Sequence, residues 1–176
     1  VEIVTGCEIG RDRTVEDLRG EGFEAVVVAT GLAFSRMLPL TGADGPGVYP
    51  VLEFLQEINA GRRPDVGKSV LVVGGGNVAC DAARSAVRLL GGGGTVRMMC
   101  LEDRTEMPAW DWERDEAIEE GVEVIHRRGP VEVVRDGDAV TGMSHRKVTR
   151  VFDEQGHFDP QYDDTDVDTV RCDTVV

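Results

Sequence analysis

Three consecutive glycines form the part of the sequence best suited to holding a ligand. They follow the β-branched run Ser69–Val73 and precede Asn77–Leu90, whose apolar residues recur with helical spacing. The full pattern is Gly74, Gly75, Gly76, Asn77, Val78 and Ala79. Gly74 would permit a tight turn, Gly76 would admit a pyrophosphate, and Ala79 would let the helix pack closely. Since the first N–H groups of that helix would face the phosphates, the pattern predicts a dinucleotide site.

The residues after the next apolar run, Thr95–Cys100, would meet the adenosine ribose of such a ligand. Glu102 and Asp103 can each accept hydrogen bonds from ribose hydroxyls, and a carboxylate there repels a 2′-phosphate. We therefore expect NAD(H) to be favoured over NADP(H), although Arg104 is close enough in sequence to reach a phosphate. The alternative is that Glu102 and Asp103 are solvated loop acids.

Strands and helices alternate around this motif. The predicted order is strand 69–73, helix 77–90, strand 95–100, helix 113–120 and strand 122–125, which indicates a parallel sheet. Two further runs, 131–134 and 139–151, flank Asp136-Gly137, a pair typical of a hairpin turn. The predicted fold class is α/β, a Rossmann-like parallel sheet with an antiparallel β extension.

Five other segments complete the prediction. Thr14 followed by Asp17 has the spacing of a capping box and predicts a helix over 14–21, and 52–60 has a similar helical pattern. The apolar run 24–31 predicts a buried parallel strand, and a further strand is predicted over 170–176. Residues 153–168 contain seven acids and neither lysine nor arginine, which favours a solvated loop.

Composition excludes several classes of protein. Among 176 residues, 33 are acidic and 19 basic, so a net charge of -14 disfavours nucleic acid and anionic membrane surfaces as partners. The longest apolar runs fall short of a membrane span, and the first residues do not resemble a signal peptide. Four scattered cysteines fit a reducing compartment, so a cytoplasmic location without membrane insertion is expected.

Other residues with potential chemistry are weaker candidates. Trp110 and Trp112 could stack on a ligand ring, but packing beside a helix is the favoured interpretation. Asn77 and Asp81 could support the cofactor or a domain hinge, or serve as a helix cap and a solvated acid. The three histidines lack metal-ligand spacing, so neither a metal site nor a catalytic side chain is expected.

Beyond the glycine pattern, short motifs along most of the chain resemble one family, the small subunits of glutamate synthase and related pyridine nucleotide-disulfide oxidoreductases. They are Ala29-Thr30-Gly31, Leu38-Pro39-Leu40-Thr41-Gly42-Ala43-Asp44, Gly47-Val48, Glu53-Phe54-Leu55, Gly67-Lys68, Val72 to Arg84, Glu106-Met107-Pro108-Ala109 and Glu119-Glu120-Gly121-Val122. The resemblance implies an FAD-dependent enzyme that passes electrons between a nicotinamide and flavin or iron–sulfur centres. It also implies an iron–sulfur or large catalytic subunit as partner.

The resemblance also implies a domain plan. Residues 1–31 would end one FAD-domain segment, 32–67 would be a linker, 68–168 the NAD(P)H-binding domain, and 169–176 a strand returning to the FAD domain. The FAD and iron–sulfur sites would then lie outside this chain. The nicotinamide domain would be inserted into a truncated remnant of the FAD domain. Such a fragment would be inactive by itself. NADPH-using members have an arginine pair where this chain has Leu101-Glu102, which supports NAD(H).

Two other hypotheses stay open at the level of sequence. The glycine pattern could hold FAD, since flavoproteins use the same fingerprint. Alternatively, the acidic segment and the lack of catalytic side chains would suit a nucleotide-sensing or partner-docking module without enzymatic activity.

Overall fold

The computed structural model describes residues 1–32 and 34–176, and its contacts group into two compact units, Val1–Ala33 and Phe34–Val176. The first unit contains one helix, α1 (Val15–Gly20), with the predicted capping box. The Thr14 hydroxyl accepts from the Asp17 amide at 3.1 Å, and the Asp17 carboxylate accepts from the Thr14 amide at 2.8 Å. These reciprocal bonds satisfy amides that a helix start leaves open.

The buried strand predicted over 24–31 is wrong. Within residues 1–32 this run forms no strand ladder, and Val27 and Val28 are 86% and 75% exposed. A parallel strand is stabilised by hydrogen bonds to neighbouring strands, and the described residues of this unit provide none. An apolar β-branched run alone is therefore insufficient for strand formation here.

The second unit is built on a parallel sheet. Along the chain, α2 (Val51–Asn59), β1 (Ser69–Val73), α3 (Asn77–Leu90), β2 (Thr95–Met99), α4 (Asp111–Glu119) and β3 (Glu123–Ile125) follow one another. Near the end of the chain, β7 (Thr174–Val175) joins the other edge, giving the strand order β3-β2-β1-β7 with every pair parallel. The predicted α/β alternation is confirmed.

A second, antiparallel sheet has the order β4-β5-β6. Strands β4 (Arg128–Asp136) and β5 (Ala139–Phe152) form the predicted hairpin, with Gly137 at a φ of 59° in its turn. The third strand, β6 (Phe158–Val170), contradicts the loop predicted over 153–168, of which only the first part forms a turn.

Charge pairing explains how so acidic a segment forms a strand. Acids of β6 contact arginines of β4 and β5. These arginines lie outside the acidic segment, so the charges of the segment alone do not reveal them. The pairs are Arg128–Asp166 at 2.7 Å, Arg146–Asp164 at 2.5 Å and Arg150–Asp159 at 2.6 Å.

The core lies on both faces of the parallel sheet. Val70 and Val72 of β1 belong to a buried cluster with Phe54 of α2 and the alanines of α3. Leu71, between them, faces the opposite way and packs with Met143 of the antiparallel sheet. Since side chains alternate along a strand, the continuous apolar run of β1 buries both faces. Among residues 1–32 and 34–176, no helix has the length and apolar character needed to cross a membrane.

Candidate dinucleotide site

The glycine turn leads from the end of β1 into α3 and lies beside the end of β2. Gly74 has a φ of 148°, in a region that side chains rarely adopt, and its amide donates to the Met99 carbonyl at 2.9 Å. A Cβ on Gly74 would lie 3.3 Å from the Cβ of Ala79. The small residues at the first and sixth positions of the motif therefore let helix and strand approach closely.

The start of α3 is open. Gly76 is the N-cap with φ -95° and ψ 174°, and within the described residues no side chain caps the helix. A Cβ on Gly76 would meet no described atom within 4 Å. The first turn, which contains Asn77 and Val78, thus keeps backbone N–H groups available to an anion.

Asn77 supports this turn rather than capping it. Its side-chain oxygen accepts a hydrogen bond from the Trp110 amide at 2.9 Å, and the Ala109 amide donates to the Gly75 carbonyl at 3.0 Å. These bonds attach the segment before α4 to the glycine turn. The cap alternative for Asn77 is wrong, since Gly76 has that position, and Asp81 is exposed on α3.

Glu102 lies against the glycine turn. A Cβ on Gly75 would be 2.9 Å from Glu102 Oε2 and 3.0 Å from Cys100 Cβ, so only glycine fits there without a shift. Glu102 is 8% exposed, yet its carboxylate has no hydrogen-bond or ion-pair partner within residues 1–32 and 34–176. The carboxylate oxygens are not fully enclosed, and Glu102 lines the cleft described below, so a ligand there can donate hydrogen bonds to them.

The two residues that follow Glu102 are engaged elsewhere. The Asp103 carboxylate accepts from the Thr105 hydroxyl at 2.7 Å and amide at 2.8 Å and pairs with Arg127 at 2.8 Å. These bonds, the Thr105 hydroxyl foremost, lower the pKa of Asp103 to about 2. Arg104 pairs with Asp115 of α4 at 3.0 Å. Of the two predicted ribose contacts, Glu102 and Asp103, the structure places Glu102 against the glycine turn, while Asp103, like Arg104, is held by other partners.

A cleft of about 470 Å³ adjoins these residues. One side is formed by Gly74, Gly75 and Glu102, and residues 36 and 38–40 also contribute to its lining. The antiparallel sheet supplies another side with Arg128, Pro130, Phe158 and Tyr162. The last two residues lie in the segment predicted to be a loop, so their positions in the sequence did not mark them as site candidates.

The structure brings a cysteine and a histidine together in this region. Strands β2 and β3 place Cys100 Sγ 3.6 Å from His126 Nδ1, an approach that their separation in sequence hides. Burial, with the Glu102 charge adding to it, raises the pKa of the Cys100 thiol to about 12. The thiol is therefore protonated at neutral pH and is a poor nucleophile.

The two tryptophans lie outside the cleft lining. Their rings stack on each other, with centroids 5.0 Å apart and planes 10° from parallel. Trp110 and Trp112 remain 59% and 56% exposed, so they pack against each other beside α4 and not into the core.

A family model described as pyridine nucleotide-disulphide oxidoreductase matches residues 1–176. The chain is 36% identical over 182 residues to the NADPH-Fe(3+) oxidoreductase subunit beta of Geobacter sulfurreducens, covering 100% of this chain and 26% of the relative. It is 34% identical over 190 residues to the glutamate synthase (NADPH) small chain of Halomonas elongata, covering 100% and 39%. The NADP(+)-dependent formate dehydrogenase subunit beta of Moorella thermoacetica is 38% identical over 146 residues, covering 81% and 20%.

The chain thus spans well under half the length of these curated relatives. Its fold resembles that of FprA from Mycobacterium tuberculosis, solved in complex with NADPH. The TM-score is 0.74 at 17% identity, covering 96% of this chain and 52% of that chain. The match along all 176 residues shows that the chain belongs to the pyridine nucleotide-disulphide oxidoreductase family.

Proposed function

We propose that Gly74–Ala79 and Glu102 bind a nicotinamide dinucleotide, and that the chain is the NAD(P)H-binding part of an FAD-dependent oxidoreductase. The observation that supports this most directly is the unpartnered Glu102 carboxylate beside the glycine turn. A ribose provides the hydroxyl donors that this carboxylate lacks.

The surroundings of Glu102 fit the rest of a dinucleotide. The pyrophosphate would approach Gly76, where no Cβ obstructs it, and accept from the open amides at the start of α3. The 14-residue length of α3 gives this terminus a helix dipole that favours anions. A cleft of about 470 Å³ is within the size range of small-molecule sites.

The residues of this chain would bind and orient the dinucleotide. Hydride chemistry between nicotinamide and flavin belongs to the cofactors themselves, and the protein supplies position and electrostatics. The protonated Cys100 thiol agrees with such a role, since it offers no thiolate to the cleft.

We further propose that NAD(H) is preferred to NADP(H). A 2′-phosphate on the adenosine ribose would be repelled by Glu102, and Arg104, the cation that follows it in the sequence, is paired with Asp115. The names of the three relatives specify NADPH or NADP(+), so the proposed preference for NAD(H) would distinguish this chain from them.

The domain plan remains part of the proposal. Residues 68–168 would be the nicotinamide domain, 32–67 a linker, 1–31 the end of an FAD-domain segment, and 169–176 a strand leading back toward the FAD domain. Two relatives are named as a beta subunit and a small chain, which supports an iron–sulfur or large catalytic subunit as partner.

Calorimetric titration of the purified chain with NADH and NADPH tests the site and its preference together. We expect tighter binding of NADH, and in Glu102→Gln a fall of about tenfold in the NADH-to-NADPH affinity ratio, equivalent to about 1.4 kcal/mol. Glu119→Gln, at an exposed acid of α4, is the matched control and should leave the ratio unchanged. If neither nucleotide binds, the proposed site is wrong; if the ratio is unchanged in Glu102→Gln, the role of Glu102 is wrong.

A further inference from the structure

Two aromatic residues of β6, Phe158 and Tyr162, line the cleft without a role in the site described so far. We propose that they form an aromatic wall that binds the adenine ring of the dinucleotide. This inference rests on the proposed function, because it assigns the base to a cleft in which phosphates and ribose are already placed.

The position of Tyr162 follows from two contacts around Gly129. A Cβ on Gly129 would be 2.6 Å from Tyr162 Cε1 and 3.3 Å from Leu101 Cδ2. The Tyr162 ring and the Leu101 side chain therefore meet over the Gly129 backbone. Because Leu101 directly precedes Glu102, a base attached to a ribose at Glu102 lies within reach of the Tyr162 ring.

The Tyr162 ring is held in place from within the antiparallel sheet. The guanidinium carbon of Arg146 lies 3.9 Å from the ring centroid, and Arg146 is itself paired with Asp164 at 2.5 Å. A cation over an aromatic face is a favourable contact. An aromatic ring fixed before the ligand arrives loses little conformational freedom on binding.

Phe158 adds an exposed apolar surface to the same side of the cleft. Its side chain is 62% exposed, and its ring meets Phe152 edge-on with centroids 6.2 Å apart. A purine ring that covered Phe158 would remove this surface from water, and bases stack readily on aromatic side chains. The wall therefore fits a flat, aromatic ligand group better than a charged one.

ADP-ribose and nicotinamide mononucleotide separate the two halves of the ligand. We expect Tyr162→Ala and Phe158→Ala each to weaken calorimetric binding of ADP-ribose by about tenfold, while Tyr162→Phe retains wild-type affinity because it keeps the ring. Binding of nicotinamide mononucleotide, which lacks the purine, should be equal in all variants. Trp112→Ala, which removes an exposed aromatic outside the cleft lining, is the matched control, and circular dichroism verifies the fold of each variant.

The outcomes distinguish this inference from the function on which it rests. If the wild-type chain binds NADH while both alanine variants bind ADP-ribose as tightly as wild type, the aromatic wall is wrong and the proposed function stands. If the wild-type chain binds neither NADH nor ADP-ribose, both proposals are overturned.

Discussion

The cleft has two sides of different origin, the glycine turn of the parallel sheet and the aromatic residues of the antiparallel sheet. The glycine turn is fixed by backbone hydrogen bonds such as that from the Gly74 amide to the Met99 carbonyl at 2.9 Å. The aromatic side depends on side chains brought in by β6 and fixed by contacts such as Arg146 with Tyr162. Backbone amides suit the phosphates that all dinucleotides share, whereas side chains suit a particular base.

The largest effect is expected at the glycine turn. Gly76→Leu places a side chain in the open space before α3, at a φ that leucine adopts without strain, so the fold should persist. We expect calorimetric affinity for NADH and ADP-ribose to fall at least about a hundredfold, or about 2.8 kcal/mol, because the phosphates lose access to the helix amides.

Gly20 offers a matched control in the other unit. A Cβ there would also meet open space among the described atoms, and its φ lies outside the left-handed region. Gly20→Leu should bind NADH as wild type does. If Gly76→Leu and wild type bound NADH equally well, the phosphates could not lie at the glycine turn. The comparison between the two sides of the cleft would then be wrong.

A smaller effect, on stability rather than on binding, is expected at Asp103. The pKa of its carboxyl is lowered to about 2 in the folded chain, below the ordinary value of 3.8. Its contribution to folding is therefore fully present above about pH 4 and lost as the pH falls through about 2. Asp103→Asn should lower the urea midpoint at neutral pH, and its difference from wild type should shrink as the pH falls across that window.

Asp81→Asn, at an exposed acid of α3, provides the comparison and should leave the urea midpoint close to that of wild type. A constant difference between Asp103→Asn and wild type from neutral pH to about pH 2 would contradict the ionised, hydrogen-bonded role given to Asp103.

The smallest effect concerns the tryptophan pair, whose rings lie outside the cleft lining. Trp110→Ala and Trp112→Ala should each change the calorimetric affinity for NADH by less than about twofold, because exposed aromatics away from the ligand lose no contact with it. An effect as large as that expected for Tyr162→Ala would place the base at the tryptophans and reverse the assignment of the two aromatic pairs.

The parallel sheet and its helices were predictable because their patterns are local. The run Ser69–Val73, the glycines after it and the helical spacing of Asn77–Leu90 all refer to neighbours in sequence. The two failures concern pairing over distance. The run 24–31 has the composition of a strand but no ladder, and β6 has the composition of a loop but pairs with β5 through distant arginines.

The candidate site divides in the same way. The sequence has three charged residues after β2, near the predicted ribose position, but it does not show which of them is free to contact a ligand. Arg127 and Asp115 make the separation, since they engage Asp103 and Arg104 and leave Glu102 beside Gly75. These partners come from other elements of the fold, so they cannot be predicted from the local spacing of residues.

The acidic strand β6 has a consequence for the behaviour of the protein at high concentration. It is an edge strand of the antiparallel sheet, and edge strands with free backbone groups are templates for pairing between molecules. Two β6 edges brought together would place rows of aspartates against each other, and Pro160 supplies no N–H to such a pairing. The acidic residues that led to the prediction of a loop therefore protect this edge from strand-to-strand aggregation.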